Sequence, residues 1–281
     1  MHWVPLDFIV VIAAVLGLLV GSFLNVVVFR LPKMMERQWK AECAEVSGNV
    51  PTEEPPFNLM VPRSRCPHCG HQIRWFENVP VISYLALRGK CSACKAPISA
   101  RYPAVEVATS FLFFWCASQY GSGGATWAWC AFSAVLLVLA LIDWDTTFLP
   151  DDLTLPLVWL GLIASAMHWT SVDIYASLWG AVAGYMSLWS VYWAFKLVTG
   201  KEGMGYGDFK LFAVLGAWFG WQALIPMILI ASILGAIVGI ALKFSNGLRE
   251  GGYVPFGPFL ACAGFTAQLM GPQALRQVIG L

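Results

Sequence analysis

The chain has 281 residues, of which 58% are hydrophobic and only 12% charged, with 14 tryptophans and a formal charge of +1. Soluble domains average roughly 45–50% apolar and about 25% charged residues, so a single soluble globular body is excluded. Lipid offers no hydrogen-bond partners, so a spanning chain must be helix or closed barrel, and the long apolar runs exclude the barrel.

The first run, Phe8 to Phe29, has no basic region before it and no small-residue cleavage pattern after it, and it is expected to be a retained span rather than a signal peptide. Further spans are expected at 104–121, 125–142, 153–170, 174–195, 209–222, 224–243 and 254–271. The fold class is then an all-α polytopic membrane protein with about eight transmembrane helices. Seven is the alternative, because only GWQALIP interrupts the 209–243 block. Of the 17 Lys and Arg residues, 11 lie from Arg30 to Arg101 and none between Tyr102 and Phe195, so the first long loop is expected to be cytoplasmic. Alternation puts 143–152, 196–208 and 243–252 on the same side, in keeping with Lys196, Lys201, Lys243 and Arg249. No basic-aromatic stripe supports a nucleic-acid partner.

The loop, residues 31–103, is expected to begin as a short amphipathic helix on the membrane surface and to run into a Pro/Glu linker. Its second part carries C-x-x-C at Cys66 and Cys69, then 21 residues, then C-x-x-C at Cys91 and Cys94. Two such turns supply four thiolates for a tetrahedral zinc ion. Disulfides or a redox dithiol are the alternative, and they fit poorly on a face kept reduced by glutathione. His68 and His71 read as exposed loop residues, since four cysteines already close the shell. Cys43, Cys116, Cys130 and Cys262 lack paired spacing and read as small packing residues.

Carboxylates in or beside spans are costly and point to function. Glu106, early in the second span, is expected to pair with Arg101 or Lys95. In LIDWDTTFLPDDLTLP, Asp151 and Asp152 read as N-cap residues, whereas Asp143 continues the apolar LLVLALI and lies on the helix. GMGYGDFK places Asp208 at the start of the sixth span behind three alternate glycines, which permit positive φ and close backbone approach. Lys210 is expected only to mark the cytoplasmic edge. Asp143 and Asp208 thus fall on the same membrane face. Two carboxylates in a water-poor site share a proton, one acting as general base and the other as general acid, as in aspartic proteases. A proton-coupled transporter with a zinc-stabilised loop, or an inactive membrane scaffold, are the other classes.

Taken together, GSFLNVVVFRLP (21–32), CPHCGHQI (66–73), ENVPVISYLALRGKCSAC (77–94), RYPAVE, LIDWDTTFLPDDLTLP (141–156), GKEGMGYGDFKLFAVLGAW (200–218) and VPFGPFLA (254–261) resemble the type IV prepilin peptidase family, bifunctional leader peptidases and N-methyltransferases with a GxGD aspartic protease site. The resemblance implies that Asp143 and Asp208 are catalytic, with Gly205 and Gly207 as motif support. It implies a first transmembrane helix over 1–30, a cytoplasmic loop domain over 31–103 with zinc on Cys66, Cys69, Cys91 and Cys94, and a peptidase domain over 104–281. It further implies S-adenosylmethionine as methyl donor, prepilin and pseudopilin substrates, and a bacterial inner-membrane location with the active site facing the cytoplasm. No donor-binding signature is visible, and only Gly89 and Glu77 suggest themselves near that site.

Overall fold

A computed structural model describes residues 6–48, 55–245 and 254–271. Arg249, one of the orienting basic residues, lies outside them. Among the described residues there are helices and isolated bridges but no named strands, in two compact units, 1–134 and 135–281.

In the first unit, α1 (Leu6–Val46) is one continuous helix of 41 residues. The expected break after the first span is therefore absent. At ~1.5 Å per residue the helix is about 60 Å long, twice a ~30 Å hydrocarbon core. Pro32 lies inside it and removes one donor, but good helix formers follow, and Lys40 bonds Glu36 at 2.7 Å and Gln38 bonds Glu42 at 3.0 Å, each one turn apart. A 3-10 turn (Trp75–Asn78) and the short α2 (Ile82–Ala86) sit in the cysteine-bearing insert, ahead of α3 (Arg101–Tyr120).

Helices α1 and α3 pack through small residues. A Cβ on Gly17 would lie 2.7 Å from Ser110 Cα, and one on Gly21 would lie 2.7 Å from Glu106 Cα, so the spacing G-x-x-x-G sets the backbone approach. Ser110 Oγ donates to the Ala14 carbonyl at 2.8 Å, and Asn25 Nδ2 to the Tyr102 carbonyl at 3.1 Å. Helix α4 (Gly124–Thr146) starts in this unit, with Trp129 stacked on Tyr120, and its C-terminal part belongs to the second.

The second unit continues with α5 (Asp151–Ala166), α6 (Ile174–Thr199), α7 (Tyr206–Phe219), α8 (Leu224–Phe244) and α9 (Gly257–Met270). The 209–243 block resolves into two helices, because Gly220 takes φ +78° and a 3-10 turn, Trp221–Ala223, follows it. Helix α7 is the core: from Asp208 to Phe219 every residue is buried except Lys210. A helix buried all round needs close neighbours. Gly180 of α6 provides one by packing on the Gly216 carbonyl, while Trp218 Nε1 donates to the Leu157 carbonyl of α5 at 3.0 Å.

The described residues thus hold eight helices of 14 residues or more, at the eight places expected. Length and composition alone qualify three for a membrane crossing: Phe8–Val46, Gly124–Thr146 and Trp221–Phe244. Helices α7 and α9, with 14 residues each, reach only about 21 Å. Exposed apolar rows, such as Ile225, Leu229, Ile233, Ile237 and Ile240 on α8, fit lipid as their surroundings.

Candidate active site and metal cluster

Three carboxylates are buried among the described residues: Glu106, Asp143 and Asp208. Two belong to the second unit. Asp143, 4% exposed, sits near the end of α4 and accepts the Gly257 backbone N–H at 2.9 Å through Oδ2. Gly257 is the first residue of α9, so the carboxylate faces a helix N-terminus, where the backbone N–H groups favour negative charge. A Cβ on Gly257 would lie 2.6 Å from that same oxygen. A side chain at this position would force the carboxylate to shift.

Asp208, 7% exposed, is the third residue of α7 rather than its N-cap, and its Oδ2 accepts the Gly205 N–H at 3.3 Å. This is the reach-back half of a capping box. The Asp143 charge acts on Asp208, so the two carboxylates share one electrostatic environment. Leu149, 6% exposed, packs beside both: Cβ atoms added at Gly207, next to Asp208, and at Gly257, the donor to Asp143, would come within 2.6 Å of its Cβ and 3.3 Å of its Cδ1.

The glycines of GMGYGDFK act otherwise than expected. Gly205 has φ −80°, and Gly203, Gly205 and Gly207 all lack positive φ. Gly203 and Gly207 instead make room for the Phe195 ring and for Leu149, and beside Gly205 a Cβ would meet nothing closer than Asp208 Oδ2 at 3.7 Å. Tyr206 packs on Tyr192 with ring centroids 5.2 Å apart, and Lys196 Nζ bonds both the Tyr192 hydroxyl and Glu202.

Asp151 and Asp152 are not N-caps either. Pro150 takes that place, and the two acids occupy the first turn of α5. Lys210 does more than mark an edge, since its Nζ lies 2.6 and 2.7 Å from the two Asp151 oxygens. Sequence reasoning missed Gly257 and Leu149. The signal for Gly257 was Gly-Pro opening an apolar run; Leu149 carried none.

In the first unit the four sulfurs of Cys66, Cys69, Cys91 and Cys94 lie within 4.8 Å of one another, in a cluster that could hold a metal. The two knuckles are built alike. The Gly70 N–H returns to the Cys66 carbonyl at 2.9 Å and the Lys95 N–H to the Cys91 carbonyl at 3.1 Å. Gly70 and Lys95 close the turns at φ +71° and +61°. Antiparallel bridges Arg65–Gln72 and Lys90–Pro97 flank them. Within each knuckle backbone N–H groups face the first sulfur: those of Cys69 and His68 pull the Cys66 thiol down to about 7, and those of Cys94 and Ala93 lower Cys91.

None of the eight cysteines is in a disulfide, and the Cys66 and Cys94 sulfurs stand 3.8 Å apart. That is the edge of a tetrahedron with ~2.3 Å metal–sulfur bonds, about 3.8 Å, and it is too long for a disulfide. His71 is not an exposed bystander: its Nε2 lies 3.3 Å from both Glu77 Oε2 and Ser92 Oγ. The Arg74 N–H first, then Ser92 and His71, hold the Glu77 carboxyl down to about 2. Gly89, at φ +67°, packs on the Tyr84 hydroxyl. Glu106 accepts the Val81 N–H at 2.8 Å, in place of the expected pairing with Arg101 or Lys95.

The Bacterial Peptidase A24 N-terminal domain matches residues 15–120, and the Type IV leader peptidase family matches residues 130–240. The chain is 55% identical over 274 residues to a prepilin leader peptidase/N-methyltransferase of Pseudomonas aeruginosa, covering 97% of this chain and 93% of that one. It is 54% identical to one of Stutzerimonas stutzeri (96% and 93% covered) and 50% identical to one of Aeromonas hydrophila (92% and 90%). No solved structure matches it.

Proposed function

Since the chain belongs to the type IV leader peptidase family, we propose that it cleaves the leader from type IV prepilins and type II secretion pseudopilins and methylates the N-terminus so exposed. The relatives' shared name carries both activities, and nothing in it supports a transporter. Asp143 and Asp208 are the peptidase pair. The observation that carries this assignment is their joint burial, each carboxylate held by the backbone N–H of a glycine, Gly257 or Gly205.

Two carboxylates buried in one environment cannot both ionise cheaply and hold one proton between them. The ionised member takes a proton from water as the water oxygen bonds to the scissile carbonyl carbon. The protonated member hydrogen-bonds the carbonyl oxygen. As the C–N bond breaks, a proton passes to the leaving amine, and the pair again shares one proton. Gly205 leaves space beside Asp208 for an extended peptide backbone. A basic leader stays on the cytoplasmic face by the rule that orients the enzyme, and the exposed Asp145 and Asp152 favour its approach. The hydrophobic helix of the substrate stays in the bilayer of the bacterial inner membrane.

The four cysteines hold zinc, and their geometry fits a closed structural site. S-adenosylmethionine supplies an electrophilic methyl group when bound. Residues 31–103, which begin in the continuation of α1, form the methylation-associated region after the membrane-crossing part of α1, and residues 104–281 form the peptidase domain.

The test is cleavage of a reconstituted prepilin by purified wild type, Asp143→Asn and Asp208→Asn. Each substitution should abolish cleavage; survival of cleavage in either would sink the assignment.

A further inference from the structure

The peptidase reading uses two of the three buried carboxylates. The third, Glu106, is 8% exposed on α3, at the point where Gly21 brings α1 against it. Val81 donates its N–H to Glu106 Oε2 at 2.8 Å. To do so it adopts φ +59°, a costly conformation for a β-branched residue. A strained backbone thus holds the carboxylate, and among the described residues no Lys or Arg pairs with it.

Glu106 lines a cavity of about 510 Å3 bounded by α1, the start of α3, the 75–86 segment and the two cysteine knuckles. Small-molecule sites run to ~300–1,000 Å3 and are mainly apolar with a few placed polar groups. This one offers the rings of Tyr84 and Tyr102, the amide of Asn25 and the carboxylates of Glu77 and Glu106; Arg30 also lines it, with its guanidinium held by the Asn58 and Pro62 carbonyls, and Phe29 lines it with Lys33 Nζ 3.7 Å from its ring centroid. Glu77 is already engaged by the Arg74 N–H and His71, so Glu106 is the carboxylate left for a cationic ligand. Cys66 and Cys91 lie in the same wall, so folding of the cysteine knuckles shapes the cavity.

We propose that this cavity is the methyl-donor site and that Glu106 is the counter-charge to the donor's cationic group. The inference rests on the methylation reading above. A sulfonium donor carries a fixed positive charge, an amino-acid end and a flat purine. The aromatic rings suit the purine and the cation, and the buried carboxylate suits the charge. In the transfer, the neutral amine lone pair forms the N–C bond while the C–S bond breaks and its electrons pass to sulfur, leaving a thioether. The positive charge moves from sulfur to nitrogen, and the new ammonium then loses a proton to water. Glu106 faces positive charge until that proton leaves.

The test is equilibrium dialysis of radiolabelled S-adenosylmethionine against the full chain in detergent, wild type and Glu106→Gln, with metal content measured on both. Photocrosslinking of the same ligand to wild type serves as the second measurement. The expected result is donor binding weakened about tenfold or more in Glu106→Gln, with metal content equal to wild type and wild-type label on Phe29, Tyr84 or Tyr102 peptides. If Glu106→Gln loses its metal, the crosslink position alone decides. Binding within twofold of wild type, or label outside the cavity wall, overturns the cavity assignment while methylation by wild type still stands. A wild type that cleaves but transfers no methyl group overturns both.

Discussion

Lys210 of α7 grips Asp151 of α5 through both carboxylate oxygens, at 2.6 and 2.7 Å, two residues beyond Asp208. The lysine is 26% and the aspartate 51% exposed, so the pair contributes on the order of 0.5–1 kcal/mol rather than the several of a buried bridge. Its value is positional, because it ties the first turn of α5 to the start of α7. Lys210→Glu should therefore depress cleavage severalfold with little loss of thermal stability. Asp151→Lys combined with Lys210→Asp should restore it. If the swapped pair were no better than the single reversal, the positional role would be wrong.

Gly257 offers a sharper probe of the dyad. A methyl group there would lie 2.6 Å from Asp143 Oδ2, so Gly257→Ala must push the carboxylate out of place. A displacement near 1 Å costs about a hundredfold in rate when it misaligns reacting groups. Cleavage should fall by about that factor, with metal content unchanged because the cysteine knuckles belong to the other unit. Prepilin cleavage by the purified variant at wild-type rate would refute it.

The cysteine knuckles should behave as a folding element and not as part of the peptidase. Cys66→Ser or Cys91→Ser removes one of four sulfurs, and metal analysis should fall from one zinc per chain toward none. N-methylation should be lost with it, while leader cleavage persists. A wild-type protein without zinc, or a Cys66→Ser protein that keeps it and methylates normally, would contradict this.

The helices and the four clustered cysteines were legible because each has a period or spacing that chemistry imposes: apolar runs of helical length, and two C-x-x-C turns whose repeat predicts a shared ion. The Gly220 break in the 209–243 block was also visible in GWQALIP. Less was legible where meaning depends on a partner distant in the chain. Gly207 looked like a flexible position and is a packing contact with Leu149, 58 residues away. The stretch from residue 31 read as a separate short helix on the membrane surface, yet it continues α1 without a break to Val46, with i,i+4 pairs along it. Asp151 had the look of an N-cap, and no local pattern announces that its partner is Lys210.

The shared proton predicts the pH dependence of cleavage. The proposed mechanism requires the dyad to hold one proton, so activity should be lost on both sides of its working range. As pH falls, the ionised member is protonated, no base remains for water, and kcat/KM declines. As pH rises, the shared proton leaves, the second carboxylate ionises beside the first, and the acid for the leaving amine is gone. The two ionisations of the pair therefore set the two limbs of the profile. A reconstituted prepilin assayed from mildly acid to mildly alkaline pH should give a bell. Gly205→Ala keeps both carboxylates and the backbone donor at residue 205, so it should lower the height of the bell by crowding the peptide while leaving its two limbs in place. A flat profile in wild type would remove the dyad as the source of catalysis.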